Sequence, residues 1–411
     1  MIRVSKRLTG GSRAKVSEPQ FYANKAVQEY AQFKPTPITL RQLLFYERHR
    51  TNERLLKSAN YVRQELPIRI AHRLRDMQQL PFIVGMNSHI LTVYQLYLDA
   101  FERLRCCKPI ETLGDNARFC QTLQHSLQDH LVVIPHLALG MQECQEYITI
   151  EKRDNFMNTL LRSRISRRVL AEQHLVLSGC PPVVTSAAND DLPESGKTMV
   201  FQHCKAQQIL RNCISRLEPK YPGIKMIIQQ SCDVEFSYVL DHIEYILYQI
   251  LRNSLCHTKS RHPSHLHACP PIYITVCAND TDVYFRISDK AGGIPASVYP
   301  QLWSFGRHGN FKNVKTWTGT INEQIANEND PAAAQLMPLG MGLPMSKVYA
   351  EFWGGDISIM TLDNFGTDAY VRIPKLGDQL EHLDEEFSAS DLHSQVDSGS
   401  LAEHRKYFVI K

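Results

Sequence analysis

The residues best placed to do chemistry begin in YQILRNSLCH, 248–257. Ile243, Leu247, Ile250 and Leu251 recur at helical spacing, yet Gln249 and Asn253 stand four apart and share a face. Asparagine is a poor interior helix residue, so a polar stripe here asks for a binding reason. A second group is SDKAGGIP, 288–295, where Asp289 closes a strand and Gly292 and Gly293 make the turn after it. A carboxylate there can accept from the exocyclic amine of adenine, and glycines beside it let a flat base approach the backbone. The third is PLGMGLPMSKVYAEFWGG, 338–355, in which Gly340 and Gly342 lead into a helix with Pro344 in its first turn. Bare N–H groups and the positive end of a helix dipole make such a loop an anion site. No G-K-[ST] follows and no βαβ unit surrounds it, which excludes a Walker loop and a dinucleotide fingerprint. Each piece alone is equally ordinary turn sequence; the order of the three is the signal.

The elements that must hold these residues fall into two textures. Residues 18–178 read as helical, with amphipathic segments near 21–33, 39–64, 117–147 and 151–177. In NSHILTVYQLYLDAFERLR, residues Ile90, Tyr94, Tyr97, Leu98 and Phe101 share one face. Long helices with short breaks predict an up-and-down bundle. Prolines and small polar residues mark a linker at 179–195. Beyond it, PIYITVCAN and DVYFRIS alternate with period two around an NDTD turn, which predicts a hairpin, and DISIMTL and TDAYVRI read as two further strands. The second domain, 196–375, is therefore expected to be α+β with an antiparallel-rich mixed sheet. Met345, Val348, Tyr349 and Phe352 mark the buried face of the helix after the glycine loop, and Gly354 and Gly355 end it. Residues 376–411 begin with an acidic, serine-containing stretch expected to form a disordered tail.

The 411 residues are 43% hydrophobic and 21% charged, an ordinary globular balance, with no uninterrupted apolar run of membrane-spanning length. Residues 1–17 hold Arg3, Lys6, Arg7, Arg13 and Lys15 and no acid, the composition of a mitochondrial transit peptide. Without those five charges the formal +4 becomes −1, which leaves no electrostatic case for nucleic acid. Eleven cysteines without a C-x-x-C fit free thiols in a reducing compartment such as the mitochondrial matrix.

The order helix-Asn253, Asp289-x-x-Gly292-Gly293, Gly340-x-Gly342, then Phe365-Gly366-Thr367-Asp368-Ala369 before the last strand resembles the nucleotide site of the GHKL ATPase/kinase superfamily. More closely, LPFIVG (80–85), DHLVVIPHLALG (129–140) and RSRISRRVLAEQH (162–174) resemble the bundle of the mitochondrial pyruvate dehydrogenase kinases and branched-chain 2-oxoacid dehydrogenase kinases. The likeness spans about residues 20–375. It implies a Bergerat-type ATP-binding α/β sandwich after the bundle, with ATP and Mg²⁺ as cofactors. By position, Asn253 holds Mg²⁺, Asp289 binds adenine with Thr367 at the same end, and Gly340 and Gly342 contact the phosphates. Cys256, Gly293 and Leu343 complete the implied nucleotide contacts, and the 31 residues 307–337 stand as the ATP lid. The implied partners are the E1α subunit of a 2-oxoacid dehydrogenase complex, a lipoyl domain of its E2 core, and a second copy or a related kinase.

The sequence departs from that pattern at the implied base. Gln249 stands where the family has glutamate, and an amide cannot take a proton near neutrality; it can only orient a hydroxyl. Glu244 is no substitute, because nine residues on a helix place it nearly opposite Asn253. Ala291 and Pro338 replace glycine, Arg252 replaces lysine, and the C-terminal Asp-Trp of the family is missing. His130 and His174 lack the flanks of a phosphoacceptor histidine, and His174 reads as a hydrogen-bonded structural residue. Arg164, Arg167 and Arg168 are expected at a contact between bundle and ATP domain. The loop 257–269, with His257, His262, His265, His267 and Cys269, fits no standard zinc spacing. The expected activity is serine phosphorylation and inactivation of the pyruvate dehydrogenase complex. The branched-chain complex, or a catalytically weak ATP-binding regulatory module, stands as the alternative.

Overall fold

The computed structural model describes residues 24–48, 51–180, 200–231, 234–262, 269–305 and 341–383. The targeting segment, Gly340, the expected lid 307–337, most of the linker, His265 and His267, and the chain past 383 lie outside the described residues.

The first half is helical. Its elements are α1 (Lys25–Tyr30), α2 (Leu40–Arg48), α3 (Asn52–Gln78), α4 (Phe82–Gly85), α5 (Ser88–Arg105), α6 (Leu113–Asp129), α7 (Val133–Glu143) and α8 (Ile150–Leu177). Side-chain oxygens of Thr51, Asn87, Thr112 and Thr149 accept from the first-turn amides of α3, α5, α6 and α8, and Thr112 with Asp115 completes a capping box. Those caps place breaks that periodicity alone ran through. The segment expected over 39–64 divides before Thr51, and that over 117–147 divides at a 3₁₀ turn, His130–Val132. Pro135 falls in the first turn of α7, where its missing N–H is not needed. On α5, Ile90, Tyr94, Tyr97 and Phe101 are buried as expected, whereas Leu98 lies on the flank and Val93, Ala100 and Leu104 join the core. The long helices α3 and α8 pack against each other, with α5 against α3 and α7 against α5.

The second half runs β1 (Val200–Lys205), α9 (Ala206–Leu217), β2 (Met226–Ser231), β3 (Glu235–Val239), α10 (Leu240–Arg261), β4 (Ile272–Ala278), β5 (Asp282–Asp289), α11 (Gly342–Phe352), β6 (Asp356–Leu362) and β7 (Gly366–Pro374). Among the described residues, one five-stranded sheet has the order β2-β4-β5-β7-β6, with β2 and β4 parallel and the other pairs antiparallel. A two-stranded antiparallel ribbon pairs β1 with β3. The expected hairpin closes on Asn279, whose side-chain oxygen accepts from the amides of Thr281 at 2.9 Å and Asp282 at 2.6 Å. Inward residues Ile272, Ile274, Val276, Val283, Phe285, Ile287, Ile357, Val371 and Ile373 are buried, with α10 packed on β5 and α11 on β6 and β7. The coarse expectation of a helical region followed by a mixed sheet with helices therefore matches the fold. No described helix is long and apolar enough to cross a membrane.

The expectation of a disordered tail from 376 onward needs correction for its first residues. Residues up to 383 pack between the two halves: the Gly377 carbonyl accepts from the Arg41 amide at 2.9 Å, and Glu381 is buried against Arg69 at 2.7 Å. An acidic average over the stretch conceals a carboxylate, Glu381, that has a buried cationic partner.

Candidate nucleotide site

Helix α10 joins the two ends of the site. It follows β3 directly, and its apolar face is fixed in the core by Ile243, Ile246, Leu247, Ile250 and Leu251. That anchoring sets the rotation of Gln249, which is buried, and Asn253, which is half-buried one turn further on. Cys256 is exposed on the same helix, its sulfur 2.9 Å from the Tyr221 hydroxyl.

At one end, Gln249 meets the start of α11. A methyl group on Gly342 would stand 2.6 Å from the Gln249 amide oxygen, so any side chain there would displace that amide from its place against the start of α11. The Ser346 hydroxyl donates to the Gly342 carbonyl at 2.8 Å, and Leu343 beside it is half-buried. Met345, Val348, Tyr349 and Phe352 are buried as the sequence predicts, and Gly354 ends the helix at φ 79°.

At the other end, Asp289 closes β5 in register with Thr367 on β7. One carboxylate oxygen accepts from the amides of Ala291 at 3.0 Å and Thr367 at 3.2 Å. The Ser254 hydroxyl of α10 lies beside this side chain and favours its charged form. Burial pushes the Asp289 pKa up, and those donors oppose the rise by favouring the carboxylate. Gly293, at φ 79°, lies directly over the Leu362 carbonyl, and the Ile294 amide donates to the Thr361 hydroxyl at 2.7 Å. Thr361 in turn lies 3.5 Å from the Thr367 hydroxyl, and Gly366 packs on the Asp289 carbonyl.

The structure thus gathers Asp289, Thr367 and Gly293 at one pole and Gln249, Gly342 and Leu343 at the other, while Asn253 lies between them on α10. Residues 249 and 254 are separated by roughly 7.5 Å along the helix axis, so the two poles meet α10 at different points rather than coinciding. Sequence reasoning missed Ser254 and Thr361, and gave Gly366 no role. Ser254 adjoins Asn253, and its small hydroxyl carried no signal apart from that position.

Glu244 faces away, pairing with Arg216 of α9 at 3.3 Å. His174 is buried between Ser58 and Asn116, 3.2 and 2.9 Å away, and burial lowers its pKa to about 4. His130 bonds the Leu96 carbonyl at 3.0 Å and stacks on Tyr97; burial, then Arg167, lowers its pKa to about 3. Both are structural and neutral. The contact between halves is carried in part by Arg162, bound to Glu351 of α11 at 2.5 Å. Of the arginines expected there, Arg164 and Arg168 do face Tyr349 of α11, and Arg168 also Asp241 of α10, while Arg168 pairs with Glu172 on its own helix and Arg164 donates to the His130 carbonyl; Arg167 instead donates to the Tyr97 hydroxyl within the bundle. Among the described residues no group of three His, Cys, Asp or Glu is arranged to hold a metal.

A helical region leading into a mixed sheet covered by helices fits an α+β kinase. The family model described as mitochondrial branched-chain alpha-ketoacid dehydrogenase kinase matches residues 37–191. Over 90% of its length the chain is 30% identical to pyruvate dehydrogenase (acetyl-transferring) kinase 2, mitochondrial, of Saccharomyces cerevisiae, and covers 88% of that protein. It is 28% identical to the mitochondrial pyruvate dehydrogenase (acetyl-transferring) kinase of Arabidopsis thaliana, with 87% of this chain and 95% of that one aligned. Isozyme 4 of the human kinase is 24% identical over 86% of this chain and 85% of its own. The chain belongs to the mitochondrial pyruvate dehydrogenase kinase family, a family of ATP-using protein kinases.

Proposed function

We propose that this protein is a serine kinase of the mitochondrial matrix that transfers the γ-phosphate of ATP to the E1α subunit of the pyruvate dehydrogenase complex and switches the complex off. The relatives named above support the substrate. The observation that carries the site is the Gln249–Gly342 contact, which places the start of α11 against the polar face of α10. In this reading the domain from 196 to 375 is a GHKL nucleotide domain. Asp289 accepts from the adenine amine, Thr367 supports the same end, and Gly293 lets the turn after β5 close against the Leu362 carbonyl beside the base. Gly340, Gly342, Leu343 and the N–H groups at the start of α11 receive the phosphates.

Asn253 suits Mg²⁺: it offers one amide oxygen in a half-buried position, and magnesium keeps several waters and needs few protein ligands. The bound ion supplies neutralisation of phosphate charge. Gln249 orients the incoming serine hydroxyl without taking its proton, since phosphoryl transfer rests mainly on positioning and charge stabilisation. Cys256 lines the outer mouth of the site. Docking through a lipoyl domain and pairing with a second copy or a related kinase belong to the same proposal.

A second reading has its own observation. The family model matching 37–191 carries the branched-chain description, so branched-chain E1 is the competing substrate. Incubation with ATP labelled at the γ-phosphate, Mg²⁺ and each purified E1 tests both. We expect phosphoserine on pyruvate E1α and a higher kcat/KM there. A clear preference for branched-chain E1 reverses the substrate. Label on a histidine of the chain itself, with none on serine, defeats the kinase reading. ATP binding without transfer identifies a regulatory module.

A further inference from the structure

Residues 375–383 form a strap that neither the nucleotide site nor the bundle explains. It leaves the sheet through Lys375, whose carbonyl accepts from the Ser237 amide at 3.3 Å and whose amide donates to the Thr281 carbonyl at 2.7 Å. It then crosses to the segment before α2. Thr39 and Leu380 pair as an antiparallel bridge, and Ile38 and Glu381 exchange hydrogen bonds, Glu381 N–H to Ile38 C=O at 2.9 Å and Ile38 N–H to the Glu381 carboxylate at 3.2 Å.

The Glu381 carboxylate also holds Arg69 of α3 at 2.7 Å, both side chains being 1% exposed. Arg69 is itself fixed by the Thr36 carbonyl at 2.7 Å, by Glu65 at 3.5 Å and by the Ser166 hydroxyl of α8. A buried ion pair with this many partners contributes geometry more than stability, because desolvation offsets much of the attraction.

The next residue of the strap reaches the nucleotide helix. The last carbonyls of a helix lack partners of their own. His382 supplies two of them for α11: its amide donates to the Phe352 carbonyl at 3.0 Å and its ring Nδ1–H to the Glu351 carbonyl at 2.7 Å. Helix α11 is a rod of about 16 Å, with Glu351 and Phe352 at one end and Gly342 at the other. A strap that moves therefore moves the rod and the Gly342–Gln249 spacing with it. The Asp289–Thr367 pole stands at the start of β7, at the opposite end of that strand from Pro374, where the strap leaves, and is held there by its pairing with β5.

We propose that Glu381 is a positioning residue for the kinase reaction: by locking the strap to Arg69 it fixes α11, and so sets affinity for the phosphate end of the nucleotide while leaving the adenine end untouched. This rests on the reading of α11 as the phosphate helix.

The test is calorimetric titration of ATP and of adenosine, each with Mg²⁺, into the full chain and its variants. Glu381→Gln keeps shape and removes charge. We expect ATP affinity to fall about five- to tenfold and adenosine affinity to stay within about twofold. His382→Ala, at an exposed position where folding is not in question, should show a smaller loss with the same selectivity. A Thr39→Cys/Leu380→Cys disulfide across the bridge, added to Glu381→Gln, should restore ATP affinity, and dithiothreitol should abolish the rescue. Equal loss of both ligands, or no loss in either variant, overturns the proposal, as does a formed disulfide that restores nothing. A wild-type chain that binds adenosine but not ATP overturns the phosphate-helix reading and the proposal with it.

Discussion

In the proposed mechanism Gln249 decides how the transfer step runs. Its amide lies against Gly342 at the start of α11 and can orient a hydroxyl but cannot accept its proton. Gln249→Glu should therefore raise kcat with little change in ATP affinity, within the roughly 10²–10⁴-fold that general-base assistance supplies. Steady-state kinetics on folded protein checks this, and an unchanged or lower rate would mean that the hydroxyl is positioned without any base at residue 249. Asn253→Ala should abolish the Mg²⁺ dependence of ATP binding while the melting temperature holds, because the side chain is only half-buried and its loss opens no core cavity. Retained Mg²⁺ dependence in that variant would remove Asn253 from the metal site. These candidate positions were conspicuous in the sequence because amides interrupted an apolar helical pattern and glycines clustered at turns. Ser254 and Thr361 were not, since a small hydroxyl becomes informative only when its partner is known. Asp289 and Ser254 are thirty-five positions apart and are brought together by the packing of α10 on β5.

Among elements, α8 carries the clearest consequence for solution behaviour. His174 is held neutral by burial, its pKa lowered to about 4, and His130 beside α8 is lowered to about 3. An unfolded histidine titrates near pH 6.5, so the unfolded chain binds the proton first as pH falls. The stability these neutral rings contribute is complete above about pH 6.5 and is lost progressively toward their folded values. His174 alone should account for about 2 kcal/mol by pH 5. Denaturant unfolding at pH 7 and pH 5 should show that loss, and His174→Gln should flatten the slope by about one proton. An equal slope in the variant would mean that the ring titrates freely in the fold. The elements themselves were read unevenly. The long helices and the β4–β5 and β6–β7 pairs showed their periods, but β2 alternates poorly along MIIQQS, and β1 and β3 pair across residues 206–234, which include α9 and β2. The breaks within the bundle followed threonine caps and a 3₁₀ turn, which hydrophobic periodicity does not register.

At the scale of the whole molecule, the proposed nucleotide site is made by three elements distant in sequence, the polar face of α10, the end of β5 and the start of α11, with Arg162 of the bundle and His382 of the strap both holding the far end of α11. Division into a helical and a mixed-sheet half was readable from the change in periodicity after the proline-rich linker. The strap was not, because the same acidic composition describes a solvated tail and a segment with one buried glutamate. The central claim is that ATP lies across α10 with its adenine on Asp289. Calorimetric titration of ATP with Mg²⁺ into the wild-type chain and Asp289→Ala tests it most directly. Loss of a buried charged acceptor costs about 3 kcal/mol or more, so the account predicts saturable binding by the wild type and affinity at least about a hundredfold weaker in the variant. Wild-type affinity in a folded Asp289→Ala protein would contradict it.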